Sequence, residues 1–215
     1  VTRVSGLLLA AGAGRRMGRP KALLRDAADR PRLLGAVDVL LEGGCDEVVV
    51  VLGAEAEQAE TLLTEGTSRW PADTVCSVRA DDWDRGMAAS LAAGLAATGQ
   101  DPPDALVVLL VDLPDVGAAV VTRVADAWRE AGAGHGAVAR AAYDGEPGHP
   151  VLLGLDHQLA LAAEVARALG TPGAVDFGAR HYLATLASHD RREVALVECG
   201  DLATGHDVDR PEDLL

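Results

Sequence analysis

The sequence predicts an α/β protein built on a mostly parallel β-sheet, and three observations carry that prediction. Strand-like and helix-like runs alternate almost from end to end, as they do when crossover helices join parallel strands. The strand candidates are largely continuous aliphatic runs, the mark of strands covered on both faces. With 49% hydrophobic but only 3% aromatic residues, the core has to be built from Ala, Val and Leu, which suits helices packed on an aliphatic sheet. At 215 residues, a single domain over 1–215 is expected, because one core can grow to about 250 residues before a chain divides.

The elements follow in order. Val4 to Ala10 reads as a first buried strand, followed by the glycine loop. Pro31 to Leu41 then carries Leu33, Leu34, Val37, Leu40 and Leu41 at helical spacing and ends at Gly43-Gly44. Glu47 to Leu52 is a second buried strand, Glu55 to Glu65 a helix and Thr74 to Val78 a short strand. Asp81 to Thr98 reads as a loop entering an Ala-rich helix. Ala105 to Val111 is the most hydrophobic strand and stops at Asp112, and a helix from Gly117 to Ala131 places Val120, Val121, Val124 and Trp128 on one core-facing stripe. Gly136 to Ala141 and Val151 to Leu153 look like strands flanking a loop, "YDGEPGHP". Asp156 to Leu169 looks helical, and Glu193 to Cys199 is the last strand. No repeat or low-complexity linker interrupts this pattern.

Composition narrows the function classes. A formal net charge of −14 argues against a general nucleic-acid surface, which relies on clustered cations. No apolar run approaches the roughly 20 residues of a membrane span and nothing resembles a signal peptide, so a soluble cytoplasmic protein with no membrane partner is expected. Cys45, Cys76 and Cys199 form no CxxC pair, which suggests core filler and neither a disulfide framework nor a zinc site.

Against that acidic background, "LLLAAGAGRRMGRPKALL" places Arg15, Arg16, Arg19 and Lys21 just after the first strand. A glycine loop between a parallel strand and a helix lets backbone N–H groups approach phosphate oxygens, and nearby cations add charge-assisted bonds. The bland reading is a flexible turn with solvated arginines. A dinucleotide GxGxxG fingerprint would need glycine at Met17, and a Walker loop would need Ser or Thr after Lys21, where Ala22 stands. The loop instead resembles the LxxGxGxRMGxxK signature of the MobA-like NTP transferases, the family of the molybdopterin cytidylyl- and guanylyltransferases. Gly12, Gly14, Arg16, Met17, Gly18 and Lys21 all fall in register. The resemblance implies a three-layer α/β/α sandwich, Rossmann-like in character. It also implies a loop, including Ala10 and Ala11, that wraps a nucleoside triphosphate while Arg16 and Lys21 bind phosphates.

A triphosphate is usually presented with Mg²⁺, which takes carboxylate oxygens. Asp112 stands at the end of a buried strand, where open α/β sheets bind ligands; an Asp that merely caps the next turn reads equally well from the residues alone. The resemblance favours the metal, since "VDLPDV" is similar to the family's GDMP-type segment, with Val111 in place of the glycine. "DVDRPEDLL" is similar to its DxDTPEDL close, which implies Asp209 as the second metal carboxylate with Asp207 in support; Pro211, Glu212 and Asp213 also suit a helix start. "RGMAASL" implies nucleotide contacts at Gly86 and Ser90, although Ala80 stands where relatives often carry Asn. "GHPVLL" implies an acceptor contact at His149, whose alternative is a satisfied structural histidine.

The implied catalytic residues are thus Arg16, Lys21 and Asp112, and the implied reaction is nucleotidyl transfer. "LAAG" is similar to the cytidylyl branch, favouring CTP with a molybdopterin acceptor; a molybdenum enzyme receiving the product is a further candidate partner. Three alternatives stay open: a sugar- or alcohol-phosphate nucleotidyltransferase, an NAD(P)H-dependent oxidoreductase of the nicotine-blue-reducing kind in the same family, and a catalytically silent binding module.

Overall fold

The computed structural model describes residues 2–171, 179–189 and 194–209; the expected helix start at Pro211 to Asp213 lies outside them. Strand β1 (Val4–Leu9) leads through the glycine loop to α1 (Arg32–Glu42) and β2 (Glu47–Leu52). Next come α2 (Ala56–Gly66), β3 (Val75–Arg79), α3 (Met87–Thr98) and β4 (Ala105–Leu110). The chain continues through α4 (Ala118–Glu130), β5 (Val138–Tyr143), β6 (Glu146–Gly154) and α5 (Leu155–Leu169), then α6 (Ala179–His189) and β7 (Val194–Glu198). The strands form one sheet in the order β3-β2-β1-β4-β6-β5-β7, in which β6 alone runs antiparallel to its neighbours.

Strand alternation explains the aliphatic runs. Val48, Val50 and Leu52 of β2 pack with Leu33 and Leu40 of α1, Leu63 of α2 and Val121 of α4, whereas Val49 and Val51 face Leu91 and Leu95 of α3. In β4, Ala105, Val107 and Leu109 take the first face, and Leu106 and Val108 take the second, with Leu161 and Val165 of α5 and Leu183 of α6. Helices therefore cover both faces, giving the expected three-layer α/β/α architecture. Trp128 is buried, with its indole N–H donating to the Gly134 carbonyl at 3.2 Å, so it is core packing. No helix among the described residues is long and apolar enough to cross a membrane.

Three sequence expectations need correction. "YDGEPGHP" is a tight hairpin, not a long loop: Asp144 and Gly145 both adopt positive φ (51° and 82°), and β6 begins at Glu146. Two positive-φ residues are what a two-residue hairpin turn demands, and Asp-Gly is a preferred pair for it. Helix α6 had no counterpart in the sequence reading. Cys45 and Cys199 are buried, but Cys76 is exposed on the edge strand β3.

Candidate functional site

Strand β1 pairs with β2 on one side and β4 on the other. Chain connectivity thus departs in opposite directions around β1, the switch point at which open α/β sheets form a crevice at their carboxyl edge. The parallel register sets Leu9 opposite Leu110, so the loop leaving β1 and Asp112, just past β4, emerge side by side.

The loop folds back on itself through its glycines. Gly14 adopts φ +57°, and a Cβ there would lie 2.0 Å from the Arg19 carbonyl oxygen. The Met17 N–H closes the turn on the Gly14 carbonyl at 2.8 Å. This return brings Lys21, at the start of a short 3₁₀ turn over Lys21–Leu23, against the end of β4.

A second strand of chain reaches the same point from the far end of the sequence. The Val208 N–H donates to the Asp112 carbonyl at 3.0 Å, with Ala203 and Val208 buried. The Thr204 N–H and hydroxyl both donate to Asp115 Oδ2, at 2.6 and 2.5 Å. Asp209 is thereby delivered beside Asp112.

The result is a charge cluster. Lys21 Nζ donates to Asp112 Oδ2 at 2.9 Å and to Asp209 Oδ1 at 2.5 Å, and Arg16 Nη1 lies 3.1 Å from Asp209 Oδ2. Burial pulls the Lys21 ammonium down, but its hydrogen bonds to Asp209 and Asp112 and their charges outweigh this and hold it above the usual lysine range. The Lys21 hydrogen bond and charge, helped by Arg16, hold the Asp209 carboxyl below its usual range. Oxygen atoms of Asp112, Asp207 and Asp209 lie within 4.8 Å of one another, and Asp112 Oδ1 is buried without a hydrogen-bond partner. Hard carboxylate donors so spaced, one of them unsatisfied, fit a divalent cation of the Mg²⁺ kind.

These groups open onto a cavity of about 440 Å³. Its walls include Ala11, Gly12, Gly14, Arg16, Lys21, Gly86, Ser90, Asp112 and Asp209, all named from the sequence. Gly86 precedes α3 in a backbone conformation (φ 110°) that suits glycine, and the first turn of that helix carries no acidic residue. The Ala89 N–H turns back on the Gly86 carbonyl at 3.1 Å, and no side chain caps the helix start, which leaves its leading N–H groups at the cavity open to an anion. Ala10 does not line the cavity: its side chain faces the opposite core cluster from Ala11, and its N–H is bonded to the Val51 carbonyl. His149 is also not part of that wall. It sits half-buried in β6, its carbonyl accepting the Tyr143 hydroxyl at 2.6 Å.

Other residues at the site escaped the sequence reading. Trp83 and Met87 add apolar surface to the same cavity wall, Met87 being half exposed. Behind the site and outside the cavity wall, Nε and Nη1 of Arg32 are buried without a hydrogen-bond partner. Burial pulls the Arg32 guanidinium below its usual range, against the nearby charges of Asp26 and Asp112. Trp83 could have been suspected from its place just before "RGMAASL"; nothing in the sequence marks Arg32.

Known proteins share both the sequence and the fold. A nicotine blue oxidoreductase from Paenarthrobacter nicotinovorans is 35% identical over 215 residues, spanning 98% of this chain and 94% of that protein. A nucleotidyl transferase from Methanothermobacter superposes with a TM-score of 0.71 at 23% identity, covering 99% of this chain and 94% of the other. Rv0371c from Mycobacterium tuberculosis, solved in complex with manganese, superposes with a TM-score of 0.65 at 25% identity, covering 100% and 98%. The model of the MobA-like NTP transferase domain matches residues 6–190. With that match running through the glycine loop and Asp112, the chain belongs to the MobA-like NTP transferase family.

Proposed function

We propose that the protein, acting as one domain over its 215 residues in the cytoplasm, is a Mg²⁺-dependent nucleotidyltransferase. It would transfer CMP from CTP to a phosphorylated small-molecule acceptor, molybdopterin being favoured, and release pyrophosphate. The observation that carries this reading is the convergence of Arg16, Lys21, Asp112 and Asp209 on one cavity floored by a glycine loop. The lean to CTP rests on the resemblance of "LAAG" to the cytidylyl branch. The manganese complex of Rv0371c supports a divalent cation.

The chain's own groups suit this chemistry. An acceptor phosphate monoester, with a second pKa near 6, is already largely ionised at neutral pH, so its oxygen attacks the α-phosphorus without a strong general base. Positioning and charge neutralisation carry the reaction. Backbone N–H groups of the loop and of the first turn of α3 receive phosphate oxygens, with Gly86 and Ser90 beside them. Arg16 and Lys21 neutralise the charge that accumulates on the departing pyrophosphate. Asp112 and Asp209, supported by Asp207, would hold Mg²⁺, which supplies Lewis-acid charge neutralisation when bound. His149 remains a proposed acceptor contact: the antiparallel pairing of β6 with β4 runs it toward the carboxyl edge that carries Asp112.

Pyrophosphate release across CTP, GTP, UTP and ATP, with molybdopterin and then sugar and alcohol phosphates as acceptors, tests the reading. Release in wild type and its loss in Asp112→Ala support it. A second reading follows from the 35% identical relative, namely NAD(P)H-dependent reduction of nicotine blue; NAD(P)H consumption without pyrophosphate release would favour it.

A further inference from the structure

We propose that Lys21 is the resident cation of the divalent-metal site, so that metal enters as Lys21 leaves for the phosphates, and metal and triphosphate bind as a mutually dependent pair. This rests on the reading that Asp112 and Asp209 hold the metal.

Three observations carry it. The Lys21 ammonium sits between the two carboxylates that would ligate the ion, 2.9 Å from Asp112 Oδ2 and 2.5 Å from Asp209 Oδ1. The Lys21 side chain is 14% exposed against 40% for Asp209, so the ammonium is a packed part of the cluster and not a solvated passer-by. The oxygens of Asp112, Asp207 and Asp209 lie within 4.8 Å of one another, leaving room for one cation among them.

An ammonium and a divalent ion a few ångströms apart in a half-buried site repel strongly. One must go, and Lys21 is on a flexible stem. Once expelled it needs new acceptors, and the cavity that Arg16 shares offers them if a triphosphate is present. Metal without nucleotide therefore has to displace an ion pair for no return, while nucleotide without metal meets a lysine already engaged. By linkage each ligand raises the affinity for the other. The consequence would be a site that stays closed to stray divalent ions and loads metal together with its substrate.

The test is Mn²⁺ binding without nucleotide, read from the free-ion EPR signal, for wild type, Lys21→Met, Lys21→Gln and Arg19→Met. Arg19 is exposed, belongs to the same loop and is not part of the cavity wall, so it controls for the loss of one positive charge. The glutamine variant keeps hydrogen-bonding capacity should the methionine variant fold poorly. Binding of Mn²⁺ roughly tenfold tighter in either Lys21 variant, with Arg19→Met near wild type, is expected. Equal affinity in wild type and both Lys21 variants would overturn the inference while sparing the metal reading. A matching gain in Arg19→Met, or a gain that survives in Lys21→Met/Asp112→Asn, would also overturn it, because general charge or another site would then be responsible. No binding by any variant would remove the metal reading and the inference together.

Discussion

Gly14→Ala separates the work of the loop's backbone from that of its charges. Alanine at φ +57° costs about 1 kcal/mol in backbone strain. The new Cβ would also stand 2.0 Å from the Arg19 carbonyl oxygen and 3.3 Å from the Lys21 nitrogen. Contact distances begin about 1 Å further out, so the returning arm must move by about that much. Lys21 is the second residue beyond Arg19 and holds Asp112 at 2.9 Å, so the shift falls directly on the charge cluster. Losing one charge-assisted hydrogen bond to a ligand phosphate is worth about 1.5–3 kcal/mol, or roughly 10- to 100-fold in affinity. Urea unfolding should report a loss of about 2 kcal/mol, and calorimetry with CTP and Mg²⁺ the affinity loss. Gly12→Ala is the matched control: nothing lies within 4 Å of its added Cβ and its φ is not positive, so stability should change by less than about 0.5 kcal/mol. A nucleotide loss in Gly12→Ala at unchanged stability would indicate phosphate running close over the loop. Wild-type stability and affinity in Gly14→Ala would refute the reasoning.

Other expectations follow from the same geometry. Asp112→Asn should abolish metal-dependent pyrophosphate release at an unfolding cost of about 1–2 kcal/mol, because Lys21 keeps Asp209 as a partner; far-UV circular dichroism should be unchanged. The Asp209 carboxyl lies below its usual range in the folded state, so its stabilising contribution is present above the unfolded pKa of about 3.9 and is lost as pH falls through the lower folded value. Melting curves of wild type and Asp209→Asn should therefore differ at pH 7 and converge in strong acid; a gap that persists there would contradict the pairing. Trp128→Ala should cost about 3–5 kcal/mol, read by denaturant unfolding, because the buried ring and its bond to the Gly134 carbonyl are lost together.

Much of this architecture is written in local pattern. β1, β2 and β4 are legible because strands buried on both faces have no room for polar alternation, and Arg16, Lys21 and Asp112 are legible because a signature spacing names them. What escaped depends on tertiary placement. Ala10 and Ala11 are neighbours in one motif, yet strand alternation sends one to each face of the sheet and only Ala11 reaches the cavity. Residues 146–150, which read as loop in the sequence, carry Pro147 and Pro150, and the β4 ladder ends at Val108 with Val151. Residues 146–150 thus face β4 beyond its paired stretch, where a missing N–H disrupts no ladder on that side. The unpartnered N–H groups of Arg32 arise from burial at the start of α1, which no spacing encodes. Cys76 reads as core filler because it belongs to no CxxC pair, whereas the sheet order places its strand at the edge.

On the proposed reading, Arg16, Lys21, Asp112 and Asp209 form one site for a triphosphate and its metal. Calorimetric binding of an α,β-methylene CTP analogue, with and without Mg²⁺, to wild type and Asp112→Asn tests it most directly. Wild type should bind the analogue in a Mg²⁺-dependent way, and Asp112→Asn should lose that binding. Binding that ignores Mg²⁺ and is equal in the two proteins would contradict that reading.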